Sequence, residues 1–193
     1  MSKVVHLKTL AFISSAAFRE WLDTNYHRSE GLWLRIFKKS SDKASVTYQE
    51  ALDNALCYGW IDGQKKPCDE DSWLQKFTPR RARSTWSKIN TERAEHLVNA
   101  GLMQQAGLQA VKAAKSDGRW QTAYNSQHNS SVPEDFLKAL AKNKKAKAFF
   151  ETLSKANLYS IVYRLQEAKK PETREKRMRT ILEMMDRGEK FHP

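Results

Sequence analysis

Hydrophobic residues dominate GLWLRIFKK, the segment that Gly31 opens, and Arg35 is the one polar residue between Leu32 and Phe37. Both faces of the strand that this pattern predicts carry large side chains: Leu32, Leu34 and Ile36 on one, Trp33, Arg35 and Phe37 on the other. Because bulk on both faces is typical of a strand covered on both sides, we predict a central strand. Before it, Phe18, Trp21 and Leu22 recur at helical spacing after Ser14 or Ser15, which predicts a capped α-helix.

A second helix and two further strands are predicted between residues 47 and 78. Thr47 and Glu50 have the spacing of a capping box, and Gly59 is placed to end the helix that follows. Strand-like segments GWIDG (59–63) and SWLQKFT (72–78) then flank the polar QKKPCDED. We interpret this order as strand, turn, strand, and predict an α+β fold with a small antiparallel sheet packed with helices.

The hydrophobic period becomes helical after Asn90 and stays so. The polar segment 118–131 has no sustained period and is the predicted linker. It separates an α+β domain with trailing helices, residues 1–117, from an all-α C-terminal module, residues 132–193. In that module Pro171 suits the first turn of a last helix, which Gly188 would end.

The positive charge is concentrated in the second part of the chain. The formal net charge is +12. Residues 1–78 hold 11 Lys and Arg against 10 Asp and Glu, a balance of +1, whereas residues 79–193 hold 23 against 12, a balance of +11. This distribution predicts an anionic partner for the C-terminal part, with a merely solvated basic surface as the alternative.

The excess of positive charge begins in FTPRRARSTWSKIN, residues 77–90, where no acidic residue occurs between Asp71 and Glu92. Arginine side chains suit phosphate and carboxylate groups, an exposed Trp face can hold a flat ring or a cation, and a helix N-terminus capped by Asn90 would add donors. We therefore predict a small anionic ligand or an acidic protein surface as partner. The predicted ligand-binding residues are Arg80, Arg81, Arg83, Trp86, Ser87 and Lys88, with Trp60 and Asp62 lining the same cleft.

Other interpretations of these residues remain open. In one, Trp86 lies in the core and the arginines pair with acidic residues, namely Asp62, Asp69 or Glu92. A second is a nucleic-acid-binding protein, and a third is an enzyme in which Asp62 is the acid or base and the arginines stabilise negative charge. Asp62 also precedes Gly63, and Asp-Gly is a common hairpin turn.

The predicted last helix carries a secondary basic face formed by Lys170, Arg174 and Arg177. These side chains could flank its apolar stripe as a second binding surface. A solvated helix face accounts for the same pattern, and it is the interpretation we favour at this stage.

Catalytic, metal and cofactor motifs are missing from the sequence. The five histidines are scattered, the seven glycines form no phosphate-binding loop, and the two cysteines, Cys57 and Cys68, make no disulfide scaffold. We therefore expect no metal, no cofactor, no catalytic residue beyond the candidate Asp62, and a reduced, buried Cys57. No apolar run has the length of a membrane span, and we expect a cytoplasmic protein whose oligomeric state the sequence leaves open.

Several segments together resemble a known family. They are CYGWIDG (57–63), FTPRRARSTWSKIN (77–90), AEHLVNAGLMQQAG (94–107) and AKKPETREKRMRTILEMMDRGEK (168–190). They are similar to the YdeI or OmpD-associated bacteriocin-protection family. The resemblance implies a YjbR/CyaY-like α+β domain, an OmdA-like helical module, and a stress or antimicrobial-protection role without an assigned catalytic residue. Because the chain is strongly cationic, direct capture of a cationic peptide is disfavoured.

Overall fold

The computed structural model describes residues 6–124, 131–168 and 170–192. The chain divides into two compact units, Met1–Ala123 and Tyr124–Pro193. The first is an α+β unit and the second is helical, which confirms the predicted fold class. Among the described residues, no helix combines the length and the apolar character needed to cross a membrane.

A four-stranded mixed sheet forms one layer of the first unit. Its strands are β1 (Thr9–Ala11), β2 (Leu32–Phe37), β3 (Trp60–Pro67) and β4 (Ser72–Pro79), in the order β1-β2-β4-β3. The antiparallel pairs β2·β4 and β4·β3 and the internal position of β2 confirm the sequence prediction. The parallel pair β1·β2 is an addition to the predicted antiparallel sheet. Three residues are too few to show a period, which is why β1 was not predicted.

The described residues of the first unit also form four helices: α1 (Ser15–Asn25), α2 (Tyr48–Cys57), α3 (Lys88–Asn99) and α4 (Gln105–Ser116). The predicted capping box is confirmed, because Thr47 and Glu50 exchange side-chain and backbone hydrogen bonds at the start of α2. Phe18 and Leu22 of α1 pack in one buried core with Leu34 and Phe77 of the sheet. This burial of large apolar side chains is the main stabilising term of the unit.

The Asp62-Gly63 dipeptide is part of a strand and not a hairpin turn. Both residues lie in β3, where the register with β4 shifts between Asp62 and Lys65. The connection between β3 and β4 falls instead at residues 68–71. A bulge absorbs the extra residues here, so the local turn signal did not place the turn.

Two glycines allow the start of α4 to lie directly against the end of α2. Gly59 has φ +71°, a left-handed conformation that favours glycine, and it ends α2 as predicted. A Cβ atom on Gly107 would lie 2.3 Å from the carbonyl oxygen of Cys57. The carbonyl of Cys57 accepts the backbone N–H of Gln104 at 3.0 Å, which fixes this contact.

Within the part of the second unit that the structure describes, the chain forms four helices: α5 (Glu134–Leu140), α6 (Lys144–Phe150), α7 (Lys155–Gln166) and α8 (Pro171–Asp186). The core of this unit contains Phe136, Ile161, Leu165 and Met185, all completely buried. Pro171 begins α8, and Gly188, with φ +72°, follows its end, as predicted. Residues 125–130 of the predicted linker lie outside the described residues, whereas its earlier part, with Trp120 and Ala123, packs on the core of the first unit.

Candidate functional site

The arginine-rich segment forms the loop 80–87 between strand β4 and helix α3; we refer to residues 80–88, which add Lys88 at the first position of α3, as the basic loop. At its start the backbone N–H of Arg80 donates to the carbonyl of Gly59 at 3.0 Å. A tight turn follows, in which Ser84 donates its N–H to the carbonyl of Arg81 at 2.9 Å and accepts the N–H of Arg81 on Oγ at 3.0 Å. The loop is therefore held to the end of α2 and folded on itself.

Arg80 stacks on Trp86 beneath the surface of the loop. Its guanidinium carbon lies 3.6 Å from the centre of the Trp86 ring, and its Nη2 donates to the carbonyl of Thr85 at 2.8 Å. Trp86 is only 2% exposed, and its indole N–H donates to none of the described residues. The expectation that Trp86 offers an open ring face to a ligand is thus not met. A cation of the chain itself already occupies that face.

A second guanidinium, that of Arg119, fixes the outer part of the loop. Arg119 donates from Nη1 to the carbonyl of Ser84 at 2.8 Å and forms an ion pair with Asp117 at 2.8 Å. The neighbouring Trp120 packs its ring 4.9 Å from that of Trp86. Arg119 and Trp120 are not among the predicted site residues, because they lie in a polar segment interpreted as linker. An arginine and a tryptophan side by side in that segment were the available signal.

Ser87, and not Asn90, caps helix α3. Its backbone is extended, with φ −88° and ψ 152°, and its Oγ accepts the N–H of Asn90 at 3.3 Å. Asn90 lies in the first turn of the helix, where it cannot be the cap. Ser87 is therefore engaged in starting α3, although the basic loop does run directly into a helix N-terminus as predicted.

Three cations of the basic loop point outward: Arg81, Arg83 and Lys88 are exposed. None of the ion pairs formed within the described parts of the chain includes any of them. The proposed counter-ions Asp62 and Asp69 are engaged elsewhere, with Tyr48 and Arg35. The loop therefore presents three positive charges on a backbone that Arg119, Ser84 and the buried stack hold in place.

Trp60 and Asp62 do not join this surface. Trp60 is 1% exposed and donates its indole N–H to the carbonyl of Tyr26 at 3.1 Å, so it is a core residue. Asp62 accepts a hydrogen bond from the hydroxyl of Tyr48 at 2.8 Å. Burial, with a contribution from Asp62, raises the pKa of Tyr48. No contact between described residues links Asp62 to a cation of the basic loop.

The secondary basic face is divided among different partners. Arg174 pairs with Asp135 of helix α5, and this hydrogen bond lowers the pKa of Asp135. Arg177 donates from Nη1 to the carbonyl of Arg164 near the end of α7, at 2.7 Å. Lys170 lies exposed at the N-cap position of α8. The three side chains therefore do not form one stripe directed at a single ligand.

No other cluster of reactive side chains stands out in the described parts of the chain. Burial raises the pKa of Cys57 to about 11, which makes its thiol a poor nucleophile at neutral pH. Cys68 is free and exposed. The described residues contain no group of three or more His, Cys, Asp and Glu side chains arranged to hold a metal ion.

Fold and site together define an α+β unit that bears a basic loop and is followed by a helical module. The chain belongs to the family described as Domain of unknown function (DUF8412), whose model matches residues 10–110, just over half of the chain. Residues 129–188 match the family described as Bacteriocin-protection, YdeI or OmpD-Associated. Comparison with curated proteins gives no match, and comparison with solved structures gives none.

The second match confirms the resemblance for the C-terminal segment. The three N-terminal segments that resemble the same family fall within the match at residues 10–110 instead. The YjbR/CyaY-like fold of the first unit therefore stays a prediction.

Proposed function

We propose that this protein is a non-enzymatic stress or antimicrobial-protection protein that binds an anionic ligand or partner through its basic loop. The outward cations Arg81, Arg83 and Lys88 make the contact. Arg80, Trp86 and Ser87 hold the loop in shape and do not touch the ligand. The observation that carries the proposal is that these three exposed cations have no ion-pair partner within the described residues.

The anchoring of the loop favours binding over a merely solvated surface. An unanchored loop loses conformational entropy when it closes on a ligand, at about 1–2 kcal/mol for each residue that becomes ordered. Here the carbonyls of Ser84 and Thr85 already accept hydrogen bonds from Arg119 and Arg80. Binding would therefore order little beyond the outward side chains. Arginine forks match the oxygen spacing of phosphate, which makes a phosphate-rich anion the first ligand class to test.

Catalysis by Asp62 has less support than binding does. An acid or base has to lie within hydrogen-bond reach of the reacting group that the arginines would stabilise. Asp62 is instead bonded to Tyr48, and no described contact joins it to the basic loop. A protection role agrees with the family described for residues 129–188.

The test is calorimetric titration of the whole protein with inorganic tripolyphosphate over a series of salt concentrations. The loop variant is Arg81→Gln, Arg83→Gln, Lys88→Gln, which leaves Arg80, stacked on Trp86, intact. The charge-matched control is Lys39→Gln, Lys145→Gln, Lys190→Gln, three exposed lysines far apart in sequence. Exposed ion pairs contribute about 0.2–1 kcal/mol each, so the loop variant is expected to bind about tenfold more weakly.

Two results would overturn the proposal. One is an equal loss of affinity in the loop variant and in the control, because attraction by net charge alone would then explain the binding. The other is no binding by the wild-type protein at low salt. A labelled single-stranded oligonucleotide, titrated in parallel, tests the nucleic-acid alternative. Tighter binding of the oligonucleotide than of tripolyphosphate, with a logarithmic salt slope of about −0.7 for each phosphate contacted, would favour it.

The protection role has a separate test in living cells. A bacterial host expressing the wild-type chain is challenged with a bacteriocin, beside hosts that express the loop variant or the control. We expect higher survival with the wild type and the control than with the loop variant. Equal survival of all three, at equal protein levels, would contradict a protective role for the loop.

A further inference from the structure

A cavity of about 320 Å³ lies in the helical unit, between α7, α8 and the segment around Phe191. Pockets that bind small molecules commonly have volumes of roughly 300–1,000 Å³, so this one is at the lower end of the range. Its position is in the module that matches the bacteriocin-protection family. All the described residues that line it belong to the helical unit.

The charged residues that line the cavity are all cationic: Arg164, Lys176 and Arg177. None of the three takes part in an ion pair within the described stretches of the chain. Arg177 uses Nη1 to bind the carbonyl of Arg164, and this leaves its other N–H groups to face a ligand. The guanidinium of Arg164 lies 4.5 Å above the ring of Phe191, a stacked position in which its edge stays open to an acceptor.

The remaining lining is largely apolar. Ile181 is 2% exposed, and Met184 and Phe191 are half-buried. Buried or half-buried apolar side chains beside cations are the combination expected for a ligand with an apolar body and one anionic head. Burying the apolar body would contribute roughly 0.8 kcal/mol per methylene group.

The wall formed by Phe191 is fixed before any ligand binds. The next residue, His192, donates its backbone N–H to Oδ1 of Asn157 at 3.0 Å and accepts from Nδ2 of the same side chain at 3.3 Å. A third bond joins the ring of His192 to the hydroxyl of Ser160 at 2.8 Å. Since Asn157 is almost completely buried in α7, this segment is held firmly beside the cavity.

We propose that this cavity binds a small amphiphilic anion, a carboxylate with a short alkyl chain. The cavity has room for roughly ten non-hydrogen atoms if each takes about the 30 Å³ of a water molecule in the liquid. Octanoate has that size. Its carboxylate binds Arg164 and Lys176, and its chain lies on Ile181 and Met184.

The experiment is calorimetric titration of the full chain with sodium octanoate below its micelle concentration. The comparison compounds are 1-octanol, which lacks the charge, and acetate, which lacks the chain. We expect octanoate to bind at least tenfold more tightly than either. Equal binding of 1-octanol would show an apolar cavity without anion recognition, and equal binding of acetate would show an anion site without an apolar contribution. Either result, or no binding of octanoate, overturns the proposal.

Two variants place the binding in this cavity. Thr180→Trp fills it from an exposed position of α8 and should abolish binding, whereas Thr152→Trp is the matched control. Both threonines are exposed. Thr180 donates its hydroxyl to the carbonyl of Lys176 in α8, and Thr152, in the turn after α6, donates its hydroxyl to the carbonyl of Phe149, but only Thr180 lines the cavity. Retained binding in Thr180→Trp, or equal loss in both variants, would overturn the proposal.

The role of the cations is tested by a second pair of variants. Arg164→Gln with Lys176→Gln removes two cations and leaves Arg177 attached to α7. It should weaken octanoate binding at least tenfold, whereas Lys142→Gln with Lys145→Gln should leave it unchanged. Equal weakening by both pairs would mean that the carboxylate is not recognised at this site. The loop variant of the first unit should bind octanoate normally, so this inference can fail or succeed separately from the proposed function.

Discussion

Replacing Arg80 by alanine should lower the stability of the first unit, although Arg80 belongs to the most basic segment of the chain. The side chain lies flat on the buried ring of Trp86, at 3.6 Å, and binds the carbonyl of Thr85. Its removal uncovers one face of an indole that is otherwise enclosed, and it leaves a loop carbonyl without this donor. The change therefore acts on packing as well as on charge.

The magnitude is worked from two of the contacts that are lost. A cation stacked on an aromatic ring and removed from water contributes about 0.5–2 kcal/mol, and a hydrogen bond from a charged donor about 1.5–3 kcal/mol. Because neighbouring contributions are not fully additive, we expect the free energy of unfolding to fall by about 2–4 kcal/mol. Arg80→Lys keeps the charge but loses the planar guanidinium group, so we expect a smaller decrease in the free energy of unfolding.

Urea unfolding followed by tryptophan fluorescence measures this effect. All six tryptophans lie between residues 21 and 120, so the signal reports on the first unit alone. The control is Arg81→Ala, which removes an equal charge from an exposed position one residue away and should change stability by less than about 0.5 kcal/mol. Equal destabilisation by Arg80→Ala and Arg81→Ala, or an unchanged midpoint for Arg80→Ala, would refute the division into inner and outer cations.

Three further predictions concern other parts of the molecule. Gly107→Ala should destabilise the first unit by about 1–3 kcal/mol, because its Cβ would meet the carbonyl of Cys57 at 2.3 Å; an unchanged urea midpoint would contradict this. In the native protein at pH 8 a disulfide reagent should modify Cys68 alone, because the thiol of Cys57 has a pKa of about 11 and only ~1 in 1,000 is ionised. Denaturation should make the thiol of Cys57 react as well. Rapid reaction of both thiols in the native protein would be inconsistent with a buried Cys57. The hydrogen bond from Arg174 lowers the folded-state pKa of Asp135, so this pair stabilises the helical unit above the ordinary pKa of Asp and ceases to do so as pH falls through the lowered pKa. Asp135→Asn should therefore reduce the melting temperature of the helical unit, measured by calorimetry, more at pH 7 than at pH 2. An equal reduction at both pH values would argue against the linkage.

The elements that could be predicted from sequence are those whose signals are local. The side chains of strand β2 alternate between buried and half-buried along its six residues. The capping box of Thr47 and Glu50 spans only four residues and fixes the start of α2. Strand β1 has three residues and owes its existence to pairing with β2, which lies more than twenty residues further along the chain. The Asp62-Gly63 pair carries a turn signal, yet pairing across the sheet and a bulge kept both residues in β3.

The candidate site shows the same limit at the scale of single side chains. The sequence composition predicted a loop of cations without ion-pair partners, and the exposed positions of Arg81 and Arg83 agree with this prediction. Which arginine turns inward depends on where the backbone bends, and that is set by the hydrogen bonds between Arg81 and Ser84. The hydrogen bond that holds the carbonyl of Ser84 comes from Arg119, which lies 35 residues away in sequence. No local pattern reports a contact at that distance.

The two proposed sites use positive charge in physically different ways, and this makes them separable by experiment. The outward cations of the basic loop, Arg81, Arg83 and Lys88, are exposed, so their attraction for an anion is screened by salt, and it depends on the number of charges that the ligand carries. The cations of the cavity share its lining with apolar side chains, among them the buried Ile181, so much of the binding energy there should come from the alkyl chain. Raising the salt concentration should therefore weaken tripolyphosphate binding steeply and octanoate binding slightly. Shortening the alkanoate from eight carbons to four should weaken its binding by roughly 3 kcal/mol at most, from about 0.8 kcal/mol for each methylene. If the length of the alkanoate had no effect on its binding, and salt abolished the binding of both ligands, the cavity would act only as a positively charged surface.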